Sequence, residues 1–217
     1  MTRWILVVAG LLLATGVNAA EPTRLLVLGD SLSAAHGIER EAGWVARLEK
    51  RLTNRRGAYA VINASIGGDT TRGGRSRLPD ALVEHDPDIV IIELGGNDGL
   101  RGISLTETRR NLATMIETAR NSGARVLLVG VRLPTNYGDA FIQRFRAVYR
   151  DLADEYDIAL VEKFLAGVAE KPELMQPDGI HPTAAAQQRL LENIWAELVG
   201  LLNGAAERRT QEPAETG

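Results

Sequence analysis

The segment RLLVLGDSLS, residues 24–33, joins a short apolar run to a polar turn. Residues 25–28 are all apolar and show no helical period, so they predict a strand buried on both faces of a parallel sheet. Gly29 ends the run, and Asp30 and Ser31 follow at its carboxyl end. Ligands bind at that edge of an open parallel sheet. Ser31 is therefore a candidate nucleophile, although Gly-Asp-Ser is also an ordinary turn with ordinary capping residues.

Strands and helices alternate along the remainder of the chain. Four further buried strands are predicted, at residues 59–62, 88–94, 125–131 and 158–161. Helices are predicted between and after them, at residues 43–56, 72–85, 104–121, 139–156 and 183–202. This alternation is typical of a parallel sheet covered by helices on both faces. The sequence therefore predicts an α/β fold, built as a three-layer α/β/α sandwich.

Length and composition limit the possible classes of protein. The chain of 217 residues is long enough for one α/β domain, predicted over residues 21–203. Residues 204–217 are polar and contain Gly and Pro, which predicts a disordered tail. The net charge is −3 and no basic stripe occurs, so nucleic acid is not expected as a partner. The absence of cysteine excludes a thiol nucleophile, a cysteine-ligated zinc and a disulfide framework.

The first twenty residues have the pattern of a secretory signal peptide. Arg3 supplies a positive charge, residues 4–13 form an apolar run, and residues 17–19 (VNA) offer small side chains before a cleavage site. The run is short for a membrane span, which needs about 20 apolar residues. We therefore expect Sec-type export to a bacterial periplasm or beyond, without a stable membrane span after cleavage. An uncleaved anchor is the alternative.

A serine nucleophile needs a base, and one occurs near the carboxyl end of the chain. Asp178 and His181 stand three residues apart in DGIHP, so they can share one loop. A serine hydroxyl is a weak nucleophile until a base accepts its proton, and a carboxylate can hold the imidazole in the required tautomer. Taken alone, His181 could equally be a surface or capping histidine before the helix that begins near Pro182.

Acyl transfer also needs hydrogen-bond donors for a developing oxyanion. Gly68 lies in the glycine-rich loop after the second strand, where a backbone amide can approach a ligand closely. Asn97, in GGND after the third strand, has a side-chain amide that can donate, and Ser31 can add its own backbone N–H. Each of these loops could be an ordinary turn. Their occurrence after consecutive strands of one parallel sheet favours a shared site.

The four blocks together resemble the SGNH (GDSL) hydrolases. They read GDSLS around Ser31, NASIGGDTT around Gly68, ELGGNDGLRG around Asn97, and DGIHP with Asp178 and His181. The resemblance covers about residues 24–200. It is strongest toward the bacterial periplasmic branch of thioesterases, lysophospholipases and arylesterases. The chain departs from that pattern at Ala35-His36, where relatives carry Gly and an aromatic residue.

The resemblance implies a flavodoxin-like five-stranded parallel sheet and a serine hydrolase that needs no metal and no cofactor. It implies that Ser31 attacks the acyl carbonyl, that His181 acts as base and then as acid, and that Asp178 orients His181. The oxyanion hole would be formed by the N–H groups of Ser31 and Gly68 and the amide of Asn97. The implied substrates are small acyl esters, acyl thioesters or lysophospholipids.

Substrate contacts are expected from loop residues next to these blocks. We expect them from an apolar and partly basic group, namely Leu32, Leu100, Arg101, Ile103, Leu133 and Tyr137. The apolar members would suit a fatty acyl chain, and Arg101 or Arg132 could meet a phosphate. Two alternatives stay open. One is a carbohydrate O-deacetylase of the same family, and the other is a non-catalytic lipid-binding protein that kept the fold.

Overall fold

A five-stranded parallel sheet forms the centre of the protein. The computed structural model describes residues 21–55 and 57–211. The strands run in the spatial order β2-β1-β3-β4-β5, and all neighbouring pairs are parallel. Their bounds are Thr23–Gly29 (β1), Tyr59–Asn63 (β2), Ile89–Glu93 (β3), Arg125–Val129 (β4) and Ala159–Val161 (β5). The predicted α/β class and parallel five-stranded sheet are therefore confirmed.

Helices cover both faces of the sheet and complete the three layers. The helices α1 and α6 lie on one face, and α2, α4 and α5 lie on the other. The short helix α3 follows β3 at the carboxyl edge of the sheet. The bounds are Trp44–Thr53 (α1), Thr71–His85 (α2), Gly96–Leu100 (α3), Leu105–Asn121 (α4), Asp139–Tyr156 (α5) and Gln187–Gln211 (α6).

The strand β1 lies between β2 and β3 and is buried on both faces, as its sequence predicts. Leu25 and Val27 pack toward α1 and α6, whereas Leu26 and Leu28 pack toward α2 and α4. All four side chains have no exposed surface. The chain order reverses between β1 and β3, and at such a point the loops after the two strands leave a crevice at the carboxyl edge. The turn after β1 opens into this crevice.

Two segments differ from the sequence predictions. Residues 96–100, expected as part of a turn, form the helix α3. The last helix ends at Gln211 rather than near residue 202, so the first part of the predicted tail is helical. The segment 204–211 (GAAERRTQ) is rich in strong helix formers, and the next proline is Pro213. Residues 212–217 lie outside the described residues.

The predicted signal peptide, residues 1–20, also lies outside the described residues. Within residues 21–55 and 57–211, none of the helices is long and apolar enough to cross a membrane.

Candidate active site

Ser31, His181 and Asp178 form one hydrogen-bonded series at the carboxyl edge of the sheet. The hydroxyl of Ser31 lies 2.8 Å from Nε2 of His181, and Nδ1 of His181 lies 2.7 Å from Oδ2 of Asp178. Ser31 and His181 are 150 positions apart in the sequence. They meet because the turn after β1 and the loop before α6 lie at the same edge of the sheet. This geometry allows proton transfer from the serine to the imidazole, with the carboxylate fixing the tautomer.

The carboxylate of Asp178 is held by its own loop. Burial would raise its pKa, but hydrogen bonds from the backbone and imidazole of His181 and from the backbone of Ile180 outweigh that effect and lower the pKa to about 2. The backbone N–H groups of Ile180 and His181 donate to Oδ1 at 2.9 and 3.0 Å, which leaves Oδ2 for the imidazole. Asp178 is therefore ionised at any pH above about 3, and it serves as an anionic anchor for His181.

The Asn97 side chain lies in α3, and its orientation is set by Asp30. Its Nδ2 donates to Oδ2 of Asp30 at 3.1 Å, and its second amide hydrogen is left for the cavity. Gly95, just before the helix, has a φ of +118°, and a Cβ there would lie 2.1 Å from the hydroxyl oxygen of Tyr149. A glycine is therefore required for the chain to turn from β3 into α3.

Asp98 fastens α3 to the neighbouring loop from behind. It is fully buried and accepts hydrogen bonds from the backbone N–H of Thr71 at 2.9 Å, from the Thr71 hydroxyl, and from the Thr108 hydroxyl at 3.3 Å. Asn111 donates to the Thr71 hydroxyl from α4. These bonds join α2, α3 and α4 in one buried polar network, in which the Oδ1 of Asn111 has no partner among the described residues. The network thereby sets the position of Asn97 relative to Gly68.

The glycine-rich loop after β2 is held by two arginines. Gly68 adopts a φ of +77°, and the guanidinium of Arg101 donates to its carbonyl at 2.7 Å. Arg77 reaches back from α2 and donates to Asp69 at 2.8 Å, to the carbonyl of Gly29 at 3.3 Å and to the carbonyl of Ala64. These bonds join the ends of β1 and β2 and hold the loop in place.

Two buried carboxyl groups lie beneath the serine turn. Asp30 is 2% exposed, and burial raises its pKa from 3.8 to about 6, against the lowering effects of the Leu32 N–H, His181 and Asn97. Glu93 has no exposed surface. Burial, followed by the negative charge of Asp30, raises its pKa well above the usual value.

Glu93 accepts two hydrogen bonds through one carboxyl oxygen. Ser33 donates to its Oε2 at 2.7 Å, and the backbone N–H of Asp30 donates to the same oxygen at 3.5 Å; both bonds lower the pKa of Glu93. Its Oε1 has no hydrogen-bond partner among the described residues. Burial outweighs the two bonds and keeps the pKa of Glu93 well above the usual value.

A cavity of about 680 Å³ opens beside Ser31. Most of the predicted site residues line it: Ser31, Leu32, Gly68, Asn97, Leu100, Leu133 and His181. Pro134, inside the expected loop 133–137, also lines it, and further apolar lining comes from residues that sequence reasoning missed, namely Val131, Leu165, Ala169, Met175 and Ile180. Several of these follow predicted strands at the edge where a site was expected, which is the signal that could have identified them.

Three residues expected to contact substrate do not line the cavity. The guanidinium of Arg101 is directed at Gly68 instead of a phosphate. Ile103 follows a left-handed turn at Gly102, and its N–H donates to the carbonyl of Asp98, which draws it away from the cavity. Tyr137 is the third of these residues and does not line the cavity.

Tyr137 stacks on Phe141 with ring centroids 6.3 Å apart and donates to the carbonyl of Leu100 at 3.2 Å. It therefore supports a lining residue rather than a substrate. Arg132 does line the cavity, and it is paired with the exposed Glu170 at 2.9 Å. Neither arginine named in the sequence analysis is a free cation facing a phosphate.

A serine, an imidazole and a carboxylate in one hydrogen-bonded series define the serine hydrolase class. The chain belongs to the GDSL-like lipase/acylhydrolase family, whose model matches residues 27–189. The resemblance drawn from the four sequence blocks is thereby confirmed.

Characterised relatives match nearly the whole length of the chain. The chain is 52% identical to the esterase TesA of Pseudomonas aeruginosa over 192 residues, which cover 88% of this chain and 94% of that protein. It is 41% identical to the thioesterase 1/protease 1/lysophospholipase L1 of Escherichia coli over 201 residues, covering 93% and 95% of the two chains. Among solved structures, the psychrotrophic esterase EstA from Pseudoalteromonas sp., inhibited by monoethylphosphonate, matches with a TM-score of 0.79 at 33% identity, covering 83% of this chain and 99% of that one.

Proposed function

We propose that this protein hydrolyses acyl esters and acyl thioesters through a covalent acyl-enzyme on Ser31. The observation that carries the proposal is the Ser31–His181–Asp178 series, with bonds of 2.8 and 2.7 Å, beside an apolar cavity of about 680 Å³. The names of the relatives support the same chemistry, since they include an esterase and a thioesterase/lysophospholipase.

The reaction begins with attack of the Ser31 Oγ on the acyl carbonyl carbon. Nε2 of His181 takes the hydroxyl proton as the carbon–oxygen bond forms, and Asp178 stabilises the resulting imidazolium through Nδ1. The tetrahedral intermediate collapses, the alcohol or thiol leaves, and His181 returns the proton to it. A water molecule, activated by the same imidazole, then releases the acid and regenerates Ser31.

Three donors stabilise the oxyanion of that intermediate. They are the backbone N–H groups of Ser31 and Gly68 and Nδ2 of Asn97. Asn97 can serve because Asp30 accepts one of its amide hydrogens and so fixes the direction of the other. Removing one such donor from a studied protease reduces kcat by about 10²–10³, which gives the scale expected for Asn97.

The apolar wall of the cavity favours a fatty acyl chain as the occupant. Leu100, Leu133, Leu165 and Met175 all line the cavity. Each methylene buried there contributes at most about 0.8 kcal/mol, or roughly a fourfold gain in kcat/KM.

Chain-length profiling tests the proposal. The substrates are p-nitrophenyl esters from acetyl to palmitoyl, octanoyl-CoA, lysophosphatidylcholine and an acetylated xylan, with Ser31→Ala as the control. We expect kcat/KM to rise from acetyl upward until the cavity is full, and Ser31→Ala to be inactive. A preference for acetyl groups on the xylan would instead indicate a carbohydrate O-deacetylase. Turnover of no substrate would indicate a non-catalytic lipid-binding protein.

The proposal includes export. Residues 1–20 act as a Sec-type signal peptide, and the mature enzyme begins near residue 21 and works in the periplasm or outside the cell. The support is the charged, apolar and small-residue order of that segment. Amino-terminal sequencing of the protein recovered from a periplasmic extract tests it, and an intact Met1 would contradict it.

A further inference from the structure

His36 lies against the imidazole of His181. The two ring centroids are 4.3 Å apart and the ring planes are tilted by 40°. His36 also lines the cavity beside Ser31. The His181 side chain is 15% exposed, whereas His36 is exposed. The ring of His36 therefore covers part of the His181 imidazole from solvent.

The backbone of His36 is tied to both partners of the reaction. Its N–H donates to the carbonyl of Ser31 at 3.1 Å. Its carbonyl accepts from Nε2 of Gln176 at 2.8 Å, and the N–H of Gln176 donates to the carbonyl of His181 at 2.7 Å. These bonds hold the backbone of His36 between the serine turn and the histidine loop.

The neighbours of His36 show that this placement is costly and specific. Ala35 has a φ of +60°, a left-handed conformation that a residue with a Cβ rarely adopts. Gly37 has a φ of +72°, and a Cβ there would lie 2.2 Å from Oε1 of Gln176. The surrounding contacts hold Ala35 and Gly37 in these left-handed conformations. The turn they form places the ring of His36 against His181.

We infer that His36 is a positioning residue for the general base. Its ring restricts rotation of the His181 imidazole, so that Nε2 stays directed at Ser31. The inference rests on the proposed function, because it assigns His36 to the same acyl transfer.

Variants of His36 distinguish a role in positioning His181 from a role in substrate binding. His36→Ala and His36→Phe are assayed with p-nitrophenyl octanoate, beside Ser31→Ala and His85→Ala. We expect His36→Ala to lower kcat about 3- to 10-fold with KM within about twofold, and His36→Phe to retain kcat within about twofold, because it restores a ring. His85, at the end of α2, is the matched histidine control and should have no effect. Thermal melting confirms that each variant is folded.

The results distinguish this inference from the proposed function. An unchanged kcat in His36→Ala, a loss confined to KM, or an equal loss in His36→Phe would overturn the positioning role while Ser31→Ala stays inactive. A Ser31→Ala protein with wild-type activity would instead overturn the proposed function.

Discussion

Replacement of Asp30 by asparagine tests how the oxyanion hole is oriented. The Oδ2 of Asp30 accepts one hydrogen of the Asn97 amide at 3.1 Å, and its Oδ1 accepts the N–H of Leu32 at 3.0 Å. An asparagine that keeps the bond to Leu32 presents an NH₂ group to Asn97. The Asn97 amide must then turn over, which moves its donor away from the oxyanion. We expect kcat to fall by about 10²–10³, with a small change in KM.

Asp30→Asn should lower kcat, but it should raise stability relative to the wild type as the pH rises. Because the pKa of Asp30 is about 6 in the folded protein and about 3.9 in an unfolded chain, protonation stabilises the fold. This stabilisation is fully present below pH 4 and is lost as the pH rises through 6. The rise from 3.8 to about 6 corresponds to at most about 3 kcal/mol. An asparagine does not titrate, so the free energy of unfolding of Asp30→Asn relative to the wild type should increase by about 2–3 kcal/mol between pH 4 and pH 7.5.

Two assays on one preparation check this account. Steady-state kinetics with p-nitrophenyl octanoate gives kcat and KM, and urea unfolding at pH 4 and pH 7.5 gives the stabilities. Asp86→Asn is the control, because Asp86 is exposed and pairs with Arg24 at the opposite edge of the sheet from Ser31. The Asp30→Asn/Asn97→Ala double variant should be no worse than Asn97→Ala alone. A folded Asp30→Asn protein with kcat within threefold of the wild type would refute the role of Asp30.

Three further predictions concern separate parts of the site. Asp178→Asn should lower kcat by about 10⁴, as the equivalent change does in a studied protease, since the imidazole loses its anionic anchor; a fall below tenfold in a stopped-flow assay would contradict this. Leu133→Ala should lower kcat/KM for octanoyl esters about tenfold and leave acetyl esters within about threefold, and an equal loss for both would show that Leu133 does not contact the acyl chain. Arg101→Met should lower kcat severalfold through the freed carbonyl of Gly68, with partial recovery in Arg101→Lys, while a rise in KM alone would return Arg101 to substrate binding.

The sequence predicted the sheet well, because buried parallel strands are continuous apolar runs. The four residues 25–28 have no exposed surface, and residues 89–92 show the same property in β3. The sequence was less informative where backbone geometry decides. The pentapeptide GNDGL reads as a turn, but hydrogen bonds from Thr71 to the buried Asp98 and the left-handed Gly95 allow it to coil into α3.

Side-chain direction limited the prediction of the site in the same way. Arg101 and Tyr137 lie in the expected loops, and both turn toward backbone carbonyls instead of the cavity. His36 showed the converse case. It lies in a surface-like loop, and only the left-handed turn at Ala35 brings its ring against His181. Contacts of this kind depend on the φ of single residues, which spacing and periodicity do not report.

The most direct test of the central claim is covalent labelling of the serine. The purified enzyme is treated with a fluorophosphonate, and intact-mass and peptide mass spectrometry locate the adduct, with Ser31→Ala and Ser33→Ala as matched variants. Ser33 lies two residues away, is 2% exposed and donates to Glu93 rather than to His181. The account predicts one phosphonyl group per chain on Ser31, retained in Ser33→Ala and absent from Ser31→Ala. A stoichiometric adduct on Ser31→Ala, or on any other residue of the wild type, would contradict it.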